Sequence, residues 1–208
     1  MSVWVIIPVK PLTRAKSRLS AVLSAEQRQQ LAEMLLRHVI ATVRQVPEIV
    51  GTLVISRDTK ALAIARDAGT YTVQESGTPE LNNALMRATS VVAGWGGSAV
   101  LVLPADLPLV SAEDVRNLVE LGLEPNTIVL ATDHQEDGTN AMLVRPPGLI
   151  PYAFGPGSFA RHLKLAQEMR ANVHVYSSER MMLDIDVPAD LLVYERLVGR
   201  TLLTPNGA

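Results

Sequence analysis

The stretch Ala99-Val-Leu-Val-Leu-Pro-Ala-Asp-Leu-Pro108 reads as a strand with no polar side, ending in one carboxylate, Asp106, between two prolines. An apolar run without alternation suits a strand buried on both faces, as in a parallel sheet covered by helices. The flanking Pro104 and Pro108 restrict the backbone around Asp106. In an open sheet of this kind the ligand crevice lies beyond the carboxyl ends of the strands, which gives priority to polar residues directly after apolar runs.

The same alternation of short apolar runs and amphipathic segments continues in both directions. Further strands are expected at Val3–Val9, Gly51–Ser56, Thr70–Val73, Thr127–Ala131, Ala141–Val144 and Asn172–Tyr176, with a short last one around Met182–Asp186. Between them, Ser24 and Gln27 form a capping-box pattern ahead of Leu31, Leu35, Val39 and Val43, which share one helical face. Asp58 suits the cap of a second helix, Pro79 the first turn of a third, and Ser111 with Asp114 the start of a fourth. Two more helices are expected from Ser158 to about Arg170 and from Pro188 to about Val198. This order predicts an α/β fold with a mostly parallel central sheet flanked by helices, as one domain over residues 1–203, with 204–208 as a flexible tail.

Composition narrows the function classes. The chain has 208 residues, 48% hydrophobic and 19% charged, enough apolar material for a real core. Nineteen basic residues against 21 acidic ones leave a net charge of -2, which disfavours nucleic acid or an anionic membrane as partner. The absence of Cys excludes disulfides, thiolate metal sites and cysteine nucleophiles, and leans the localisation towards the cytoplasm. The opening run Val3 to Val9 is broken by Pro8 and Lys10 and resembles a first strand more than a signal peptide. No stretch of about 18 apolar residues offers a membrane span. The sequence is silent on oligomeric state.

Three loops at strand ends could carry chemistry. In Pro8-Val-Lys-Pro-Leu-Thr-Arg-Ala-Lys-Ser-Arg18, the cations Lys10, Arg14, Lys16 and Arg18 crowd one loop and repel unless an anion sits among them. A polyphosphate fits, and a solvated basic loop is the plainer alternative. Asp106 has companions in Asp184-Ile-Asp186, where a two-residue period would turn both carboxylates to one side. Carboxylates without His or Cys nearby suit Mg²⁺ or Mn²⁺; the alternatives are turn or cap roles. The glycine-rich turn Phe154-Gly-Pro-Gly-Ser-Phe-Ala-Arg-His162 enters a helix and could hold a phosphate or carboxylate on its N–H groups and the Ser158 hydroxyl. Asp137-Gly-Thr-Asn140 adds Thr139 as a second hydroxyl, although Asp-Gly equally suits a tight turn. His38, His134, His162 and His174 lack paired metal spacing, and these residues, like Trp4 and Trp95, read as packing or surface residues.

Taken in order, Ile7-Pro-Val-Lys-Pro-Leu-Thr-Arg-Ala-Lys-Ser-Arg-Leu19, Ala105-Asp-Leu-Pro-Leu109, Asp137-Gly-Thr-Asn140, Phe154-Gly-Pro-Gly-Ser158 and Asp184-Ile-Asp-Val-Pro-Ala-Asp-Leu191 resemble the phosphoenolpyruvate or 2-phospho-L-lactate guanylyltransferases of coenzyme F-420 biosynthesis. The resemblance spans nearly the whole chain. It implies a Rossmann-like nucleotidyltransferase domain of glycosyltransferase-A type, with GTP and a small phosphorylated carboxylic acid as substrates and Mg²⁺ or Mn²⁺ as cofactor. It further implies that Asp106, Asp184 and Asp186 hold the metal, and that Thr139, Gly155 and Ser158 contact the acceptor. Pro8, Lys10, Arg14, Lys16, Asn82, Asn83, Pro104 and Asp106 would line the nucleotide, with Lys10, Lys16 and Asp106 in the catalytic role. Where the family commonly has glycine before Leu-Asn, Glu80 stands here. Two other readings stay open: a nucleotidyltransferase acting on a sugar phosphate or the molybdenum cofactor, and a non-catalytic nucleotide-binding regulator.

Overall fold

The computed structural model describes residues 1–77 and 80–202; Pro79 and the tail 204–208 therefore lie outside the described residues. Seven strands form one sheet: β1 (Val3–Val9), β2 (Ile49–Ser56), β3 (Tyr71–Gln74), β4 (Ala99–Val102), β5 (Thr127–Thr132), β6 (Thr139–Arg145) and β7 (Asn172–Tyr176), in the spatial order β3-β2-β1-β4-β6-β5-β7. The pairings β1–β2, β1–β4, β2–β3 and β5–β7 are parallel. Only β6 runs against its neighbours β4 and β5.

The helices are α1 (Ala25–Val43), α2 (Thr59–Asp67), α3 (Leu81–Gly94), α4 (Ala112–Leu121), α5 (Ser158–Glu168), α6 (Glu179–Met182) and α7 (Pro188–Val198). Their starts follow local chemistry. Ser24 and Gln27 close a reciprocal capping box on α1, Asp58 accepts from the Lys60 and Ala61 amides of α2, and Ser111 with Asp114 repeats the box on α4. Each such cap is worth about 1 kcal/mol. Glu80 caps α3 through the Asn82 and Asn83 amides, which explains a carboxylate where a glycine was expected.

Alternation along β1 assigns the two faces of the sheet. Val3, Val5 and Ile7 join a core with α1, α2 and α4, while Trp4 and Ile6 join a second core with α3 and Ala166 of α5. A third, smaller cluster packs Leu19, Leu31 and Leu35 against Leu183, Ile185 and Tyr194. Trp4 is buried and packs in a tilted arrangement against Trp95 at 5.1 Å and Tyr71 at 5.3 Å, consistent with a packing role.

The short strand expected around Met182–Asp186 does not form. Residues 179–182 turn into α6, and the segment that follows has no ladder partner. A buried carboxylate accounts for this. Asp114, with no exposed surface, accepts from Ser111, Tyr176, Ser178 and the Nε and terminal nitrogen of Arg180. Together with the buried Met181, this pulls the chain onto α4 instead of continuing the sheet. Burial alone would raise the Asp114 pKa, but the hydrogen bonds from Arg180, Ser111 and Ser178 outweigh it and lower it to about 2. A carboxylate held below its unfolded value stabilises the fold above about pH 4, and that contribution, about 2 kcal/mol, disappears as pH falls towards 2. Urea unfolding of Asp114→Asn across pH 2 to 7 should therefore show lower stability at pH 7 and a flatter loss between pH 4 and pH 2 than the parent chain; parallel curves would contradict this account.

Candidate active site

The direction of β6 decides what meets at the sheet edge. β1, β4, β5 and β7 all end on one edge, and β6, being antiparallel, begins there. The loop 10–18, the loop 104–108, the turn 133–138 and the segment 177–187 therefore converge with Thr139, the first residue of β6.

Charge organises one half of this edge. Lys16 sits in the left-handed region, φ 54°, and its side chain is only 9% exposed, with Nζ 3.2 Å from Asp106 Oδ2. The loop is tied down from behind, because the Leu12 amide donates to the Asp58 carboxylate at 2.7 Å. The Ile185 amide donates to the Asp106 carbonyl at 3.0 Å and brings Asp184 beside Asp106. Burial first, then the Asp106 charge, pushes the Asp184 carboxyl up to about 6, against the pull of Lys16. Lys10 and Arg14 lie exposed and form no ion pair with a carboxylate among the described residues. Pro8 and Pro104 are half-buried, Pro8 within β1 opposite Ile55, and Pro104 just after β4.

Asp186 departs from expectation. With no strand to impose a two-residue period, its carboxylate turns to Arg18 at 2.9 Å in an exposed pair. Among the described residues, no three His, Cys, Asp or Glu side chains gather closely enough to hold an ion by themselves. The Asp106 and Asp184 pair alone still fits Mg²⁺, which usually takes one or two carboxylates and completes its shell with water and substrate phosphates. Burial and the neighbouring Asp106 charge both disfavour the ionised Asp184, and a cation between the two carboxylates would relieve that cost.

Hydroxyls and backbone amides form the other half. In Asp137-Gly-Thr-Asn140, each residue has a separate task. The Asp137 carboxylate accepts from the Gly157 amide at 2.9 Å and its carbonyl accepts from Phe159, so the β5–β6 turn grips the start of α5. Gly138 leaves room for Asp133, whose Oδ2 would stand 2.6 Å from any Cβ placed there and which accepts the Gly138 amide. Thr139 faces Ser158, and Asn140 donates to the Met181 carbonyl at 2.9 Å, steadying the approach to Asp184. Gly155 and Gly157, at φ 127° and 69°, shape the turn before α5 in conformations that a side chain would strain. The Gly155 amide is exposed and has no acceptor among the described residues.

Asn82 does not present itself to a base. Its side-chain oxygen accepts the Phe154 amide at 2.7 Å and its nitrogen donates to the Phe154 carbonyl, so it braces the glycine turn from α3. Asn83 is exposed and remains available. His162, read from the sequence as a packing residue, is fully buried against Thr139 and the Ala153 amide; its spacing of four from Ser158, which puts both on one face of α5, was the available signal. A groove of about 550 Å³ lies between Thr13, the first turns of α1 and Lys60, and no member of the Asp106 centre lines it.

Comparison with known proteins identifies the family. The family model described as "Guanylyl transferase CofC like" matches residues 3–197. The chain is 40% identical over 199 residues to the phosphoenolpyruvate guanylyltransferase of Rubrobacter xylanophilus, covering 96% of each chain. It is 34% identical to that of Sphaerobacter thermophilus, over 100% of this chain and 97% of the relative. A solved nucleotidyl transferase from Methanothermobacter superposes with a TM-score of 0.68 at 14% identity, over 94% of this chain and 97% of its own, which speaks for the fold. The chain belongs to the CofC-like guanylyl transferase family.

Proposed function

We propose that the protein transfers GMP from GTP to phosphoenolpyruvate and releases pyrophosphate, with 2-phospho-L-lactate as the alternative acceptor and coenzyme F-420 biosynthesis as the setting. Support comes chiefly from the side-by-side placement of Lys16, Asp106 and Asp184 on the same sheet edge as the Thr139 and Ser158 hydroxyls. That placement offers one region for a triphosphate and another for a small anion. The names of the relatives supply the acceptor.

The reaction needs no protein base. An ionised oxygen of the acceptor phosphate attacks the α-phosphorus of GTP, the bond to the β-phosphate breaks, and the electron pair leaves with pyrophosphate. Two polyanions must approach within bonding distance, so neutralisation and positioning are the whole task. Lys16, held on Asp106, presents a fixed cation to the triphosphate, and Lys10 with Arg14 offers exposed charge for the departing pyrophosphate. Asp106 and Asp184 would hold a divalent cation, which when bound supplies further neutralisation between the two substrates. Gly155 offers its amide, and Thr139 a hydroxyl, to the acceptor.

Pyrophosphate release with GTP and Mg²⁺ should depend on phosphoenolpyruvate, be weaker or absent with 3-phosphoglycerate, and fail with ATP in place of GTP. Folded protein that binds GTP yet releases nothing with any acceptor, even at stoichiometric concentration, would remove this reading.

Asp184→Asn should lower turnover at least about a hundredfold, since it removes half of the carboxylate pair. The same substitution has a stability consequence whose sign follows from the raised pKa. A carboxyl whose folded value lies near 6 stabilises the protein only when protonated, and that contribution is lost as pH rises through 6. Without metal, Asp184→Asn should therefore raise Tm at pH 7 and leave it unchanged at pH 4. Added Mg²⁺ should raise the Tm of the parent chain and not that of the variant.

A further inference from the structure

Thr139, Ser158 and His162 form a polar group almost sealed from solvent, with exposures of 6%, 1% and 0%. Its hydrogen-bond polarity follows from one backbone amide. The Ala153 N–H donates to His162 Nε2 at 2.9 Å, so Nε2 is the acceptor and the proton of the neutral ring resides on Nδ1. Burial, with the nearby Arg161 adding to it, pushes the ring pKa down to about 4 and keeps the imidazole neutral at physiological pH. Nδ1 lies 2.9 Å from Thr139 Oγ1 and donates to it, and the Ser158 hydroxyl donates to the same oxygen at 3.2 Å. Both lone pairs of Thr139 are then occupied. Its own proton has no acceptor among the described residues, and the hydroxyl can only donate.

The opposite ring tautomer would reverse this. A proton on Nε2 would confront the Ala153 N–H, and a bare Nδ1 would take the Thr139 proton. The group would then have nothing to offer an incoming anion. The Ala153–Phe154 segment that enforces the choice is itself anchored, because the Asn82 amide holds both the N–H and the carbonyl of Phe154.

We propose that His162 is a positioning residue for the acceptor substrate: its Nδ1–H, oriented by the Ala153 amide, commits the Thr139 hydroxyl to donate to a phosphate or carboxylate oxygen of the acceptor. The inference rests on the reading of Thr139 and Ser158 as the acceptor's side of the site. It assigns Ser158 an indirect part, because its one proton is spent on Thr139.

Two isosteric replacements separate the ring's two nitrogens. His162→Asn keeps a donor at the Nδ1 position, whereas His162→Gln keeps an acceptor at the Nε2 position and leaves Thr139 without its donor. Pyrophosphate release is followed with GTP and phosphoenolpyruvate varied in turn. His162→Gln should raise the KM for phosphoenolpyruvate about tenfold, the change expected from one misdirected hydrogen bond of about 1.4 kcal/mol, with the KM for GTP held within about twofold. His162→Asn should restore most of the loss. Equal increases for Asn and Gln would mark the ring as packing and overturn the proposal. Thr139→Val tests the reading beneath it. If that variant leaves the phosphoenolpyruvate KM unchanged, the acceptor lies elsewhere and both fall; if it raises the KM while His162→Gln does not, only the role of His162 falls. A measurement on the parent chain removes dependence on variant folding: ¹⁵N NMR of the histidine rings should show His162 protonated at Nδ1 and bare at Nε2 from pH 6 to 8, and the opposite tautomer or an imidazolium would overturn the proposal.

Discussion

One strand running the wrong way is the constraint on which the site depends. In a wholly parallel sheet every strand delivers its last residue to the ligand edge and its first residue to the opposite one. Because β6 is antiparallel to both neighbours, Thr139 and the turn before it arrive at the edge where Lys16 and Asp106 also emerge. The same reversal makes β5 and β6 a hairpin, whose turn can then hold the start of α5 through Asp137 and steady the approach to Asp184 through Asn140. A single topological choice therefore brings the Thr139 hydroxyl to the edge that carries the carboxylates.

The two halves of the edge solve different electrostatic problems. On one side, charges stand partly unsatisfied: Asp184 is held near a protonation it would not need in the presence of a cation, and Lys10 and Arg14 point into solvent. On the proposed function, such a site gains most when polyphosphate and metal arrive together. On the other side, around Thr139, the polar groups are uncharged. The hydroxyl cluster is buried, neutral and saturated in all but one proton, so it discriminates by direction. In the proposed reaction, repulsion is offset where it is largest, and geometry is imposed where the smaller substrate must be oriented.

Much of this was legible before any coordinates. Caps at Ser24, Asp58 and Ser111, and Pro188 in a first turn, announce helices through local chemistry that acts within one turn, and apolar runs announce strands through burial. Strand direction is invisible to the same reasoning, because a run such as Ala141–Val144 has equal hydrophobicity in either orientation. The Asp184-Ile-Asp186 spacing misled for a related reason. A two-residue period carries geometric meaning only inside a ladder, and the Asp114–Arg180 contact, 66 residues apart in sequence, removes that ladder and leaves Asp186 to Arg18. Asn82 sits in a recognisable motif, yet its partner is a backbone 72 residues away. Long-range polar contacts leave no periodic trace in the sequence.

The burial of Asp114 illustrates how the scaffold and the site share one set of interactions. A carboxylate without exposed surface is tolerated because Ser111, Tyr176, Ser178 and Arg180 all direct donors to it. Two of those donors, Ser178 and Arg180, belong to the short segment that leads to Asp184, so the interaction that stabilises α4 against the sheet also fixes where the second carboxylate of the centre is delivered. The like-charge pair at Asp106 and Asp184 works against folding and persists only if the chain around it is held firmly. Asp114 and Arg180 supply that hold from a position remote in sequence and absent from the chemistry. A substitution there would be expressed at the edge of the sheet as a misplaced carboxylate.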